Sequence, residues 1–112
     1  MAQELSHLKK NIEDYVSILE RQGIHVEKAI LFGSQVSGMA DEASDVDLAI
    51  ISSDLSRYDY PQRLMLLSRA TLHIPAPLEV LGCTPEEVKE KTGKSIIWDD
   101  ILSTGRVVYE AA

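Results

Sequence analysis

The stretch Asp45-Val46-Asp47-Leu48-Ala49-Ile50-Ile51 changes character along its length. It opens with acid and aliphatic residues in alternation and ends in an unbroken aliphatic run. Alternation is the mark of a strand, and the closing run carries that strand into a core. Helices and further strands alternate along the rest of the chain. Leu5, Leu8, Ile12, Tyr15, Val16 and Leu19 recur at spacings of three and four, which predicts a helix over 2–22 stopped by Gly23. Val26 to Phe32 reads as a strand ended by Gly33, and 33–44 as a turn and loop. Residues 52–59 read as a polar connection. A helix follows from Pro61 to about Leu72, with Leu64, Leu67 and Ala70 or Thr71 turned inward. Leu78 to Leu81 reads as a short strand. Thr84-Pro85-Glu86-Glu87 combines an N-cap, a first-turn proline and a capping-box glutamate, and starts a helix ending near Gly93. A further helix over 95–104, with Ile97, Trp98, Ile101 and Leu102 as its core side, and a strand over 106–109 complete the series. The expected class is α/β (α+β): a small mixed β-sheet flanked by helices, in one domain over residues 1–112.

Composition narrows the function. Apolar residues make up 45% of the chain and charged residues 26%, an ordinary globular balance. Lysine and arginine total 11 against 18 acids, for a net charge of −7. That balance argues against direct nucleic-acid binding, whose affinity comes from neutralising phosphates. Cys83 is the only cysteine, so no internal disulfide is expected, in keeping with a reducing, cytoplasmic location. The opening MAQELSHLKK has no apolar core of a signal peptide, and no apolar run approaches the ~20 residues that span a bilayer.

The residues that carry chemistry are the two aspartates and what precedes them. Residues two apart on a strand share a face, so Asp45 and Asp47 project side by side. Two carboxylates so close repel, and a shared hard cation such as Mg²⁺ removes the penalty. Upstream, an apolar strand runs into Gly33-Ser34 and a turn. There, backbone N–H groups can face an anion, Gly33 permits close approach and the Ser34 hydroxyl adds a donor. A phosphate cradle beside a metal-binding acid pair points to phosphoryl or nucleotidyl transfer. Glu79, an acid between two aliphatics, is the candidate third ligand.

This pattern resembles the nucleotidyltransferase superfamily of DNA polymerase beta type, and in length the minimal nucleotidyltransferase (MNT) family within it. Gly33-Ser34, ten intervening residues and Asp45-Val46-Asp47-Leu48 match the signature, and Ser44 before the first aspartate matches as well. The resemblance implies that Asp45, Asp47 and Glu79 bind two Mg²⁺ ions. Gly33 and Ser34 would hold the β- and γ-phosphates of a nucleoside triphosphate. Glu79 would help deprotonate an attacking hydroxyl as pyrophosphate leaves. Many minimal members place an arginine after Gly-Ser; here those positions hold Gln35, Val36 and Ser37, leaving Lys94, Arg57 or a partner to supply positive charge. The third acid of the family is usually aspartate, one methylene shorter than Glu79.

Larger members carry an acceptor-binding domain, which 112 residues do not accommodate. The resemblance therefore implies a partner, typically a helical HEPN-domain toxin. The chain would be its antitoxin, moving AMP from ATP to a toxin tyrosine; a homo-oligomer is left open. Two alternatives stand beside this: an antitoxin acting by contact alone, with a weak or decayed phosphate site, and a small-molecule, antibiotic-type nucleotidyltransferase with a separate substrate-binding subunit. The remaining conspicuous residues have plain readings. His7, His25 and His73 lack metal-ligand spacing, Trp98 and Cys83 fit core packing, and Asp99 and Asp100 fit the solvated side of a helix.

Overall fold

A computed structural model of the chain describes residues 5–33 and 46–111. The elements are α1 (Leu5–Arg21), β1 (Lys28–Phe32), β2 (Val46–Ile51), a 3-10 turn (Ser53–Arg57), α2 (Tyr60–Thr71), β3 (Leu78–Cys83), α3 (Pro85–Lys91), α4 (Ile96–Thr104) and β4 (Arg106–Glu110). They form one four-stranded sheet in the order β3-β2-β1-β4. β1 pairs antiparallel with both β2 and β4, whereas β2 and β3 run parallel. A parallel pair requires a crossover, and the 3-10 turn with α2 provides it. The mixed sheet flanked by helices is the architecture the sequence leads one to expect.

Alternation sends β2 to both faces. Val46, Leu48 and Ile50 join Ala29 and Leu31 in the larger core, with Leu8, Ile12, Tyr15 and Leu19 of α1 and Leu67 and Ala70 of α2. Ala49 and Ile51 join Ile30, Cys83, Trp98 and Ile101 in a smaller core on the opposite face. Both faces of the central strands are therefore covered, as the apolar end of β2 demands. Gly23, at φ +87°, ends α1, and the Ile24 N–H closes on the Leu19 carbonyl at 3.0 Å.

Several boundaries and faces differ from the sequence reading. The first strand begins at Lys28, not Val26, because the Val26 N–H donates to the Glu20 carboxylate at 2.7 Å. The connection over 52–59 contains the 3-10 turn, capped by Ser52, and β3 continues to Cys83. α2 starts at Tyr60 under a capping box of Asp59 and Gln62, with Pro61 in its first turn. Its buried face includes Arg63 rather than Leu64, which stays 36% exposed. In α4, Trp98 and Ile101 are buried, but Ile97 and Leu102 lie open to solvent. The helix covers only part of the sheet face, so its apolar surface exceeds the surface it can bury. Ser34, Gln35, Val36, Ser37, Ser44 and Asp45 lie outside the described residues.

Candidate functional site

The smaller core stops short of one end of the sheet. Along β2, Ala49 is covered, whereas Asp47, two residues earlier on the same face, stands where the helical cover ends. The ladder places Phe32 opposite Asp47 on one side and Glu79 opposite it on the other. Phe32, Asp47 and Glu79 thus form a row across three strands, and in-register neighbours on adjacent strands sit about 5 Å apart. Two of the three acids picked out in the sequence are therefore brought together by a parallel pairing.

Gly33 follows directly on β1 and adopts φ +75°, a conformation that disfavours every residue with a side chain. A methyl group built there would run into the Asp47 carboxylate. The bare backbone is thus required twice over, by its own torsion and by the acid beside it. The close approach here is to the Asp47 side chain; Ser34, the partner of Gly33 in the motif, lies beyond the described segment.

The row opens on a cleft of about 690 Å³. Phe32, Asp47 and Glu79 line it together with Ser68 of α2 and with Ile97 and Asp100 of α4, two helices that pack on opposite faces of the sheet. Asp100 gains a neighbour that the sequence does not reveal. It is exposed, as expected for the wet side of a helix, but that side faces the cleft. Its place follows from α4 being anchored by Trp98 and Ile101, which the strand pattern alone does not reveal. The cations named in the sequence do not line this cleft. Arg57 lies beyond the opposite end of β2, where its guanidinium donates to the Gly23 carbonyl at 2.8 Å and pairs with Asp54 at 3.7 Å. Lys94 is exposed just ahead of α4.

Asp47 and Glu79 offer an all-oxygen donor set, which suits a hard divalent cation that also takes oxygens from a bound phosphate. Among the described residues no group of three or more His, Cys, Asp or Glu could hold a metal ion. Asp45, the remaining acid named in the sequence, lies outside the described residues. Cys83 takes no part. It is buried in the smaller core, and burial, aided by the nearby Glu87 charge, pushes its thiol up, which keeps it protonated.

A model of the family described as "Polymerase beta, Nucleotidyltransferase" matches residues 10–112. The chain belongs to this family of nucleotidyltransferase domains. Two solved structures share the fold. A crystal structure of a toxin–antitoxin with AMP-PNP superimposes with a TM-score of 0.62 at 16% identity, covering 92% of this chain and 73% of the other. A Sulfolobus solfataricus protein provisionally assigned as a nucleotidyltransferase gives a TM-score of 0.56 at 15% identity, covering 98% and 92%. No curated protein sequence matches significantly. No helix among the described residues is long and apolar enough to cross a membrane.

Proposed function

We propose that the chain transfers a nucleoside monophosphate, AMP from ATP, to a hydroxyl group of a partner protein, and that it is the antitoxin of a toxin–antitoxin pair. The observation that carries the reading is the Asp47–Glu79 register beside a glycine whose side of the backbone the Asp47 carboxylate occupies. Family membership supports the reaction type, and the toxin–antitoxin likeness supports the setting. A cytosolic location would supply ATP and Mg²⁺ together.

In this reading Asp45, Asp47 and Glu79 hold Mg²⁺, and Gly33 and Ser34 receive the β- and γ-phosphates through backbone N–H groups and the serine hydroxyl. Mg²⁺, when bound, would supply positive charge beside the triphosphate and the deprotonating hydroxyl. The acceptor oxygen bonds to the α-phosphorus, the bond from that phosphorus to the bridging oxygen breaks, and pyrophosphate departs. Glu79 is the chain's own base for the hydroxyl proton. The acceptor we favour is a tyrosine of a helical HEPN-type toxin.

Incubation with α-labelled ATP, Mg²⁺ and that toxin should label the toxin. The Asp47→Asn protein should lose at least ~100-fold in rate, because one anionic ligand becomes a neutral amide. Undiminished labelling by that variant would remove Asp47 from the chemistry. The second reading, neutralisation by contact alone, is favoured by the absence of any cation from the described cleft lining. It predicts that Asp47→Asn still neutralises the toxin and that calorimetry detects no Mg·ATP binding.

A further inference from the structure

Among the described residues, the cleft runs along a sheet edge that no other strand covers. β3 is terminal in the sheet, and Leu78, Glu79, Val80 and Leu81 all line the cleft. Consecutive residues of a strand can do this only if the opening follows its edge, since their side chains alternate between faces. The ladder fixes which backbone groups face outward. Val46 N–H donates to Pro77 O at 2.8 Å, and Ser52 N–H donates to Cys83 O at 3.0 Å. Residues 77, 79, 81 and 83 therefore turn toward β2, and 78, 80 and 82 turn away. The Leu78 N–H folds back onto Ala76 O, and Gly82 O lies 3.5 Å from Arg63 Nη1. Gly82 is buried beneath Leu55, Leu67 and Arg63, which leaves Leu78 C=O, Val80 N–H and Val80 C=O on the outward side beside the cleft.

The two sheet edges are unlike each other. β4 carries charged residues at both ends and pairs with β1 through a register shift between Ala29 and Ile30, devices that discourage further pairing. β3 is regular, six residues long and apolar except for Glu79. Its walls also differ. On the α2 side the strand presents Leu78 and Val80. On the α4 side stand Asp47, Glu79 and Asp100, with the exposed Ile97 beside them.

We propose that this edge binds an extended segment of a partner protein as a fifth strand, apolar on the face toward α2 and basic or hydroxyl-bearing on the face toward α4. Backbone groups on β3 supply the pairing, and the three carboxylates select positive charge on one face of the incoming strand. A residue paired near Glu79 then lies beside the Asp47–Glu79 row. The inference rests on the proposed transfer reaction only in giving that residue a use; the docking itself requires neither nucleotide nor metal.

The test uses the full chain without ATP or metal. The probe is the acetylated, amidated heptapeptide Val-Lys-Val-Tyr-Val-Lys-Val. Saturating peptide should slow hydrogen exchange at the Val80 amide at least about tenfold, as a new hydrogen bond forms. N-methylating the peptide on the alternate residues that face β3 should weaken binding at least about tenfold, while methylating the other set should not. Replacing both lysines by glutamate should weaken it comparably. Val80→Pro removes the outward N–H, together with a side chain packed on the larger core, and should abolish binding; if it does not fold, the methylated peptides decide. No binding at millimolar peptide, binding indifferent to methylation, or a free protein already dimeric with Val80 protected would overturn the proposal. The last outcome would give the edge to a second copy of the chain. Labelling experiments test the reaction separately, so either idea can fail alone.

Discussion

Gly33 joins backbone strain to site geometry at one residue. Replacing it by alanine places a side chain at φ +75° and forces the Asp47 carboxylate aside. The torsion alone should cost about 1–2 kcal/mol, measurable by chemical denaturation. In an Asp47→Ala background the cost of Gly33→Ala should shrink toward the torsional part, and an unchanged cost would mean the two residues do not press on each other. Tyr15 presents a different case. Its ring is fully buried, its hydroxyl donates to the Leu67 carbonyl at 2.7 Å, and burial raises its phenol far above the usual value. Tyr15→Phe should destabilise the chain by about 0.5–1.5 kcal/mol without altering nucleotide transfer. Cys83 should resist thiol reagents at neutral pH and react fully once the chain is unfolded; rapid labelling of the native protein would contradict its burial.

At the scale of elements, α3 is held by a bridge that joins three segments. Arg63 of α2, only 5% exposed, contacts Glu87 of α3 at 2.6 Å and the Leu55 carbonyl of the 3-10 turn at 2.9 Å. Glu87 also closes the capping box with Thr84. Burial pushes the Glu87 carboxyl up, but hydrogen bonds from Arg63 and Thr84 outweigh it and hold the group below its ordinary value of 4.5. A carboxyl lowered in the folded state stabilises the fold above its unfolded value, and that contribution is lost as pH falls through the folded value. Acid unfolding should therefore steepen below about pH 4.5, and Glu87→Gln should flatten that limb while costing about 1–3 kcal/mol at neutral pH. The sequence shows the capping box plainly, since Thr84, Pro85 and Glu87 are local. It does not show Arg63, because a buried arginine at a position next to Leu64 acquires meaning only from a glutamate on another helix. For the same reason Leu64, Ile97 and Leu102 are misplaced by periodicity. Spacing identifies an apolar face but not how much of it a neighbour covers.

At the scale of the whole molecule, the order of elements and the role of each strand are legible, because turn residues and periodicity are local signals. Gly33 and the acid-bearing strand are legible as well. Sheet order is not, and with it goes the finding that Glu79 lies in register with Asp47 and that Asp100 overlooks them. Those facts depend on β2 and β3 running parallel, and that pairing also sets a timetable. Asp47 and Glu79 are separated by the whole crossover through the 3-10 turn and α2, so they become neighbours only when this long loop of chain closes. Distant contacts of this sort are slow to form and late to be rewarded. A ribosome that has just released β2 has made half of the acid pair, and the other half emerges only after α2 has been translated. The antiparallel β1–β2 contact closes a shorter loop and can form before the acid pair does. Any ion that needs both carboxylates then binds the finished fold alone, so adding it should slow unfolding far more than it speeds refolding.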